Sequence, residues 1–386
     1  MTRPSIRTNN FDLLRLLAAS QVVAHHALNY LQLFNTSALV DRFVFATLLL
    51  PGVPIFFFVS GFLISKSYES SATLWQYARN RALRIYPALI VCTIVSVAGV
   101  FALGYLPRPT VSPVTFTAWI IAQMTFVQFF NPDFMRGFGV GVLNSSLWTI
   151  AVELQFYVLV PLVYWLCGDS KNRRSLLTLC GLAGISLIAN TLLWHLDPDN
   201  NRTIVVKLFN VSFLPWFYMF LLGVLAQRYF AELHALLAGR GLIMAAAYLA
   251  VAAYARVYAG WPTSNDIHPI LFVILAAAVF SVAFTLPTLS ERLLRRNDLS
   301  YGVYVYHMPI VNAFIYLGWS GNLTAVPLIF ALSFALAALS WRLVEQPFLA
   351  LKKGGLGHNV PTHGQIRPSS AESDSARASA AASARL

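Results

Sequence analysis

The chain has 386 residues, of which 58% are apolar and only 11% are charged, and its formal net charge at pH 7 is +12. Soluble globular proteins usually carry about 25% charged residues, so this composition excludes an ordinary soluble protein. It indicates an all-α, polytopic membrane protein.

Long apolar runs predict about ten transmembrane helices, each close to the roughly 20 residues that a spanning helix needs. In chain order the predicted spans are 11–31, 43–65, 85–105, 147–167, 176–195, 213–229, 242–258, 269–286, 301–317 and 326–343. A further apolar run at 115–130 is short and flanked by proline, and it predicts a re-entrant or interfacial segment.

Basic residues predict the orientation of the chain, because loops kept in the cytoplasm carry an excess of Lys and Arg. The richer side holds Arg3, Arg7, Lys66, Arg79, Arg81, Arg84, Lys171, Arg173, Arg174, Arg228, Arg240, Arg292, Arg295, Arg296, Lys352 and Lys353. The opposite side holds Arg108, Arg136, Arg202 and Lys207. Both termini are therefore predicted to be cytoplasmic. Charge dispersed over alternate loops argues against a nucleic-acid partner, which would need one basic patch.

The sequence predicts one folded domain followed by a tail. Residues 1–351 hold all the predicted spans. Residues 352–386 are rich in Ser, Ala and Gly with scattered charge, which predicts a disordered cytoplasmic tail. The three cysteines are dispersed and have no metal-ligand spacing, so no metal site is predicted.

The first predicted span carries polar residues that a bilayer makes expensive. A charge near the middle of a membrane helix costs about 2.5–3.5 kcal/mol, so such residues must face a protein interior or a wet cavity. Helix geometry places Arg15 and His26 about 20° apart in direction and about 16 Å apart along the axis, whereas His25 points about 80° away. Asp12 lies near the same stripe and can pair with Arg15. The alignment favours a functional site over histidines that only hydrogen-bond across a bundle.

A carboxylate is predicted at the depth of His26. The first span runs outward and the fourth runs inward, so Glu153, a few residues past the outer end of the fourth span, is expected to lie level with His26. A nearby carboxylate can fix the tautomer of an imidazole and stabilise the imidazolium that forms when it takes a proton. The residues alone support an acid/base pair and a structural His–Glu hydrogen bond equally.

Cationic residues are predicted to gather at the inner face. Arg81 and Arg84 stand one turn apart where the third span enters the membrane. Arg15 lies near the start of the first span, and His307 lies in the inner half of the ninth span. Clustered guanidinium groups suit phosphate, which they grip bidentately. The alternative is that Arg81 and Arg84 only enforce topology at the membrane surface.

The second predicted span contains a serine–glycine pair. Residues 51–65 read PGVPIFFFVSGFLIS, in which Ser60 and Gly61 interrupt an aromatic wall. A glycine here permits a close helix contact or the approach of the backbone to a ligand.

Together these motifs resemble the acyltransferase-3 family of integral membrane acyltransferases, over nearly the whole chain at residues 10–351. Arg15 and His26 match that family's pattern of Arg, ten residues and His. The other matching motifs are the phenylalanine-rich serine–glycine motif at 56–64, the paired arginines before a proline at Arg81, Arg84 and Pro87, the tryptophan and glutamate tract at 146–157, the His-x-Pro segment at 300–309 and the closing Glu-x-Pro at 344–347. Val59 stands where leucine is more usual, and Gln346 stands where arginine is common.

The resemblance implies an O-acyltransferase that moves an acyl group, often acetyl, from cytoplasmic acyl-coenzyme A to a hydroxyl group. It implies a glycan or glycan-lipid acceptor, membrane lipids as surroundings, and a place in the bacterial inner membrane. By the same resemblance, His26 is the general base and Glu153 orients it or the acceptor. The residues implied to bind the coenzyme are Arg15, Arg81, Arg84, Ser60 and His307.

A second interpretation is a transporter or flippase for lipid-linked saccharides. In such a protein the buried ionisable groups would form a proton or substrate pathway. No inverted repeat is evident in the sequence, which argues against this interpretation.

Overall fold

The computed structural model describes Ile6 and residues 8–107, 111–168, 171–196 and 203–352, and every regular element within these ranges is helical. In chain order the helices are α1 (Phe11–Tyr30), α2 (Ala38–Leu48), α3 (Gly52–Glu69), α4 (Leu74–Ala102), α5 (Pro113–Gln123), α6 (Trp148–Cys167), α7 (Arg173–Leu196), α8 (Ile204–Asn210), α9 (Phe217–Arg228), α10 (Phe230–Leu237), α11 (Gly241–Tyr258), α12 (Pro269–Ala283), α13 (Leu289–Leu294), α14 (Ser300–Tyr316), α15 (Ala325–Ser340) and α16 (Gln346–Ala350). A π-helical turn, Trp341–Glu345, continues α15. Outside the described residues lie Arg3, Arg7, Arg108, Arg202, Lys353 and all of the predicted tail beyond Lys352.

Each of the ten predicted spans contains a helix of the structure. Six helical segments are long and apolar enough to cross a membrane, and the bent pair α9 and α10, which meet at 88°, makes a seventh if it counts as one span. The six are Ala38–Glu69, Leu74–Ala102, Ser145–Cys167, Arg173–Leu193, Gly241–Tyr258 and Ala325–Ala350. Of the other long helices, α12 has 15 residues and α14 has 17, while polar side chains dilute the apolar character of α1. The chain is therefore a multi-pass membrane protein.

The second predicted span, 43–65, is two helices, because the chain breaks just before Pro51. A proline lacks an N–H group and disfavours helical backbone at the residue before it. Gln21 of α1 hydrogen-bonds to the backbone on both sides of the break. Its Nε2 donates to the carbonyl oxygen of Thr47 at 2.8 Å, and its Oε1 accepts from the N–H of Gly52 at 2.9 Å. Backbone groups freed inside a membrane protein need such partners, since lipid offers none.

The segment 115–130 covers most of the 11-residue helix α5 and the irregular chain that follows it. At about 1.5 Å per residue α5 is about 16 Å long, which is too short to cross the hydrocarbon core. Trp119 of α5 is fully buried, with its ring 5.2 Å from that of Phe134 in the following loop. The segment thus folds back on its own loop.

Helices α1 and α14 pack side by side and run in the same direction. At one end Arg15 of α1 pairs with Asp298, which precedes α14, and farther along His26 of α1 meets His307 of α14. This parallel arrangement brings residues from the two ends of the chain together at two separate levels.

Helices α3 and α9 cross at a pair of glycines. A Cβ atom on Gly61 would lie 2.0 Å from the carbonyl oxygen of Phe220, and one on Gly223 would lie 2.1 Å from that of Phe58. No Cβ atom tolerates such a distance from backbone, so both positions require glycine. Of the two roles that the sequence allowed for Gly61, the structure has the close helix contact, and this contact places the neighbouring Ser60.

Candidate active site

His26 and His307 form a hydrogen-bonded pair between α1 and α14. Nδ1 of His26 lies 2.9 Å from Nε2 of His307, and the rings stack with their centroids 5.1 Å apart. His307 is fully buried, and its Nδ1 lies 2.6 Å from the carbonyl oxygen of Tyr304. The sequence predicts His307 at the inner face, with the arginines. The structure instead places it on His26, because it lies about 10 Å beyond the start of a helix that runs parallel to α1.

Pro309 explains how α14 joins other helices at this level. Because proline has no N–H group, the carbonyl of Val305, four residues earlier, loses its helical partner. That oxygen accepts instead from the side-chain amide of Asn144 at 2.8 Å and from the thiol of Cys92 at 3.3 Å. The His-x-Pro segment therefore ties the segment before α6, and α4, to the helix that carries His307.

Glu153 lines a small cavity of about 30 Å³, together with Arg15 and Tyr304. Its Oε1 accepts hydrogen bonds from the hydroxyl groups of Ser60 at 3.0 Å and Tyr157 at 2.8 Å. Its Oε2 has no hydrogen-bond partner among the described residues. One oxygen of Glu153 is thus held in place, while the other is available to a ligand.

His26 and Glu153 do not bond to each other, although the sequence predicted them at a similar depth. Tyr304 lines the cavity of Glu153, and its ring stands edge-on, at 5.8 Å, to that of His307, the partner of His26. Its hydroxyl group forms a 2.6 Å hydrogen bond with that of Thr149. Each proposed catalytic group therefore has its own supporting partners. In the described ranges no three His, Cys, Asp or Glu side chains are grouped to hold a metal ion.

Asp298 joins two of the predicted arginines. Its Oδ2 forms ion pairs with Arg15 at 2.7 Å and with Arg84, and its Oδ1 accepts from the hydroxyl group of Ser300 at 2.5 Å. Burial raises the pKa of Asp298, but the guanidinium groups of Arg15 and Arg84 outweigh burial and hold the pKa well below its usual range. Asp298 takes the place at Arg15 that the sequence analysis gave to Asp12. The sequence marks Asp298 only as an acidic residue just before a helix, a pattern that predicts a helix cap and not an ion pair.

Arg81 and Arg84 have different surroundings. Nη1 of Arg84 also lies 3.7 Å from Oε2 of Glu345, at the end of the π-helical turn. The guanidinium group of Arg81 packs over the ring of Tyr157 at 5.7 Å, and its buried Nε has no hydrogen-bond partner in the described part of the chain. Within that part Arg81 also forms no ion pair. Arg81 is therefore the arginine of this cluster that lacks an anion.

Replacement of Asp298 by asparagine is expected to destabilise the protein at neutral pH, because Arg15 and Arg84 would face each other with one counter-charge fewer. Removing one partner of a buried ion pair costs about 3–5 kcal/mol. Since folding lowers the pKa of Asp298, its contribution is complete above the unfolded value of about 3.9 and is lost as the pH falls below that value. The melting temperature of Asp298→Asn in detergent should lie below that of the wild type at pH 7, with the gap narrowing towards pH 3.

The matched control is Asp133→Asn, which changes a fully exposed carboxylate at the start of a three-residue 3-10 helix, 3.9 Å from Nε of Arg136. Its melting temperature is expected to follow that of the wild type at every pH. A deficit of Asp298→Asn that stayed constant from pH 7 to pH 3 would contradict the assigned ion pairs.

Residues 8–342 match the acyltransferase domain family. The chain belongs to the acyltransferase-3 family. Nodulation protein 10 of Rhizobium leguminosarum bv. viciae is 35% identical over 355 residues, which cover 89% of this chain and 94% of that protein. The O-acetyl transferase of Shigella phage Sf6 is 27% identical over 364 residues, covering 89% of this chain and 96% of the phage protein.

Peptidoglycan O-acetyltransferase OatA of Listeria monocytogenes is 27% identical over 369 residues, which cover 90% of this chain and 56% of that protein. No solved structure matches the chain. Family membership makes the protein a membrane acyltransferase that transfers groups other than aminoacyl groups. It favours this enzyme over the saccharide transporter that the buried polar residues also allowed.

Proposed function

We propose that this acyltransferase moves an acyl group, acetyl in the first instance, from cytoplasmic acyl-coenzyme A to a hydroxyl group of a glycan or glycan-lipid, with His26 as the general base. The observation that carries this proposal is the hydrogen bonding of the two ring nitrogens of His26. Its Nδ1 is engaged by His307, and its Nε2 has no hydrogen-bond partner among the described residues. One ring nitrogen is therefore free to take a proton, as a general base requires.

In the proposed reaction Nε2 of His26 takes the proton of the acceptor hydroxyl group while the hydroxyl oxygen attacks the thioester carbonyl carbon. The carbon–sulfur bond then breaks, the thiolate leaves with the electron pair, and His26 returns the proton to the sulfur. The products are an acyl ester and the free coenzyme thiol, with no net uptake of protons. Glu153 has an oxygen available to accept a hydrogen bond from a second hydroxyl group of the acceptor.

The names of the relatives support an acetyl group and a glycan. The phage relative is named an O-acetyl transferase, and the Listeria relative is named a peptidoglycan O-acetyltransferase. Peptidoglycan offers sugar hydroxyl groups, which are the acceptor chemistry that the proposed base would activate.

The coenzyme phosphates are proposed to bind at the cytoplasmic end of the bundle, to Arg15, Arg81 and Arg84. Arg15 pairs with Asp298, and Arg84 pairs with Asp298 and Glu345, whereas Arg81 has no anion among the described residues. The charge of Arg81 is therefore the one most available to a phosphate. Guanidinium groups suit phosphate because they donate two parallel hydrogen bonds. Ser60, which lines the same cavity as Arg15, is proposed to contact the coenzyme arm.

The proposed topology has ten spans, with both termini in the cytoplasm and the protein in a bacterial inner membrane. The six apolar spans and the bent pair become ten when α1, α12 and α14 are included. The polar residues of the candidate site account for the weaker apolar character of α1. Green fluorescent protein fused to the carboxyl terminus is expected to fluoresce, because it folds in the cytoplasm; a dark but stable fusion would contradict this orientation.

Transfer of radiolabel tests the proposed reaction. Purified protein in lipid nanodiscs, given labelled acetyl-coenzyme A and surface-glycan fractions, is expected to move the label to a glycan. Movement of saccharide across vesicles without acetyl-coenzyme A, and no labelled glycan, would contradict the proposal. Mass spectrometry of the surface glycans of a deletion strain would then identify the acyl group and its carrier from the missing mass.

Arg81→Ala is expected to raise the KM for acetyl-coenzyme A by about 10- to 100-fold with little change in kcat, because a hydrogen bond to a charged group is worth about 1.5–3 kcal/mol. The control is Arg292→Ala, on an exposed residue of α13 at the same end of the bundle. It is expected to keep the wild-type KM. An unchanged KM in Arg81→Ala would leave Arg81 only its topological role.

A further inference from the structure

We propose that His307 is a positioning residue that fixes the tautomer of His26 and thereby makes Nε2 of His26 the atom that takes the proton. This inference rests on the proposed function of His26 as the general base. It replaces the role at the coenzyme that the family resemblance gave to His307.

The hydrogen bonds assign the protons. A carbonyl oxygen can only accept, so Nδ1 of His307, 2.6 Å from the carbonyl oxygen of Tyr304, carries a hydrogen. A neutral imidazole has a single N–H group, and Nε2 of His307 is therefore an acceptor. Nδ1 of His26, 2.9 Å away, must be the donor to it. The lone pair of His26 is then on Nε2, the nitrogen without a partner among the described residues.

The other protonation state of His307 would make His26 useless as a base. A doubly protonated His307 would donate from Nε2, turn Nδ1 of His26 into an acceptor and leave the proton of His26 on Nε2. His307 is fully buried, and no carboxylate in the described ranges pairs with it. An unpaired buried cation is strongly disfavoured, so His307 is neutral.

The family resemblance implies that Glu153 orients either His26 or the acceptor, and the contacts of Glu153 do not support the first of these roles. The held oxygen of Glu153 bonds to Ser60 and Tyr157, and no hydrogen bond joins Glu153 to His26. His307 has the contact that Glu153 lacks. The neutral partner orients His26 without placing a negative charge beside it.

The hydrogen bonds that position His307 come from its own helix, which is bonded in turn to neighbouring segments. Its hydrogen-bond acceptor is a main-chain carbonyl one turn earlier on the same helix, at Tyr304, whose hydroxyl group is bonded to Thr149 of α6. Pro309, two residues later, frees the Val305 carbonyl that holds α14 to its neighbours. The ring of His307 is thus held by groups that have no direct contact with His26.

Two amide variants separate positioning from coenzyme binding. His307→Asn keeps a short N–H donor for the carbonyl of Tyr304 but presents no acceptor to His26. His307→Gln has the longer side chain and offers its amide oxygen to Nδ1 of His26. We expect His307→Asn to lower kcat by about 10²- to 10³-fold at an unchanged KM for acetyl-coenzyme A, and His307→Gln to recover most of that loss.

The contrary outcomes are distinct. A raised KM for acetyl-coenzyme A in both variants would mean that His307 binds the coenzyme, and it would overturn the proposal. Equal loss of kcat in both variants, with melting temperatures lowered in parallel, would make His307 a packing residue and would also overturn it.

Nitrogen-15 NMR of the histidine-labelled full-length protein reads the tautomer directly. The His26 signals are those lost in His26→Ala. In the wild type we expect a protonated Nδ1 and an unprotonated Nε2 on His26, and in His307→Asn a mixture of both tautomers. A protonated Nε2 in the wild type would overturn the proposal. This measurement needs no turnover, so if His26→Ala kept full activity the proposed function would fail while the tautomer was still tested.

Discussion

Replacement of His26 by alanine is expected to abolish acyl transfer while the bundle stays folded. General acid–base catalysis is worth about 10²- to 10⁴-fold, and His26 is the proposed base. The structural loss is the hydrogen bond and ring contact with His307, which leaves a buried acceptor unpaired at a cost of about 1–3 kcal/mol. Binding of acetyl-coenzyme A, measured by calorimetry, should persist, because Arg15 of the proposed coenzyme site lies about 16 Å from His26 along α1.

His25→Ala is the matched control, since it removes a histidine ring from the adjacent position of the same helix. The ring of His25 packs 5.9 Å from that of Phe34, and its buried Nδ1 has no hydrogen-bond partner in the described part of the chain. Measurable transfer should therefore survive in His25→Ala. An inactive His25→Ala beside an active His26→Ala would show that the assignment of the two helix faces is wrong.

The second large effect is expected at the crossing of α3 and α9. Gly61→Val places atoms where the backbone of Phe220 lies, since even a Cβ atom would stand 2.0 Å from that carbonyl oxygen. Backbone cannot move aside like the end of a flexible side chain, so the helices must separate. Overpacking of this kind costs about 1–3 kcal/mol and occasionally more. The shift also displaces Ser60 from Glu153, so both the melting temperature and kcat should fall sharply.

Gly223→Val, on the other side of the crossing, should reproduce both losses, because its Cβ would stand 2.1 Å from the carbonyl oxygen of Phe58. Gly99→Ala is the opposite control: this glycine lies inside α4 with no atom within 4 Å of the added Cβ. Alanine in a helix interior is favoured over glycine by about 0.5–1 kcal/mol, so Gly99→Ala should be neutral or slightly stabilising. A well-folded, active Gly61→Val would contradict the close crossing.

The positions of the helices could be read from the sequence because the signal is local. Each predicted span is an apolar run of about the length of a membrane helix, and each contains a helix of the structure. The break at Pro51 has a local cause in the proline, but its repair depends on Gln21, which is distant in the chain. The span predicted at 43–65 lies within the apolar segment Ala38–Glu69, but its division into two helices was not predicted.

For the polar residues of α1, too, the sequence shows the local geometry but not the partners that are distant in the chain. Helical phase alone separates the face shared by Arg15 and His26 from the direction of His25, because 3.6 residues per turn is a property of the backbone. The partner of His26, in contrast, lies 281 residues farther along the chain, and that of Arg15 lies 283 residues away. Neither partner follows from spacing within one helix.

The sequence by itself determined that this is a helical, multi-pass membrane protein, that each of the predicted apolar runs holds a helix, and which side chains share a face of α1. The tertiary structure decided that Asp298 neutralises Arg15 and Arg84, that Glu153 is held by Ser60 and Tyr157, and that His307 meets His26 rather than the arginines. The physical reason is that hydropathy and helix period act along one helix, whereas the choice of neighbour depends on packing between helices. That packing rests on contacts such as the glycine crossing of α3 and α9, which exist only once distant parts of the chain have met.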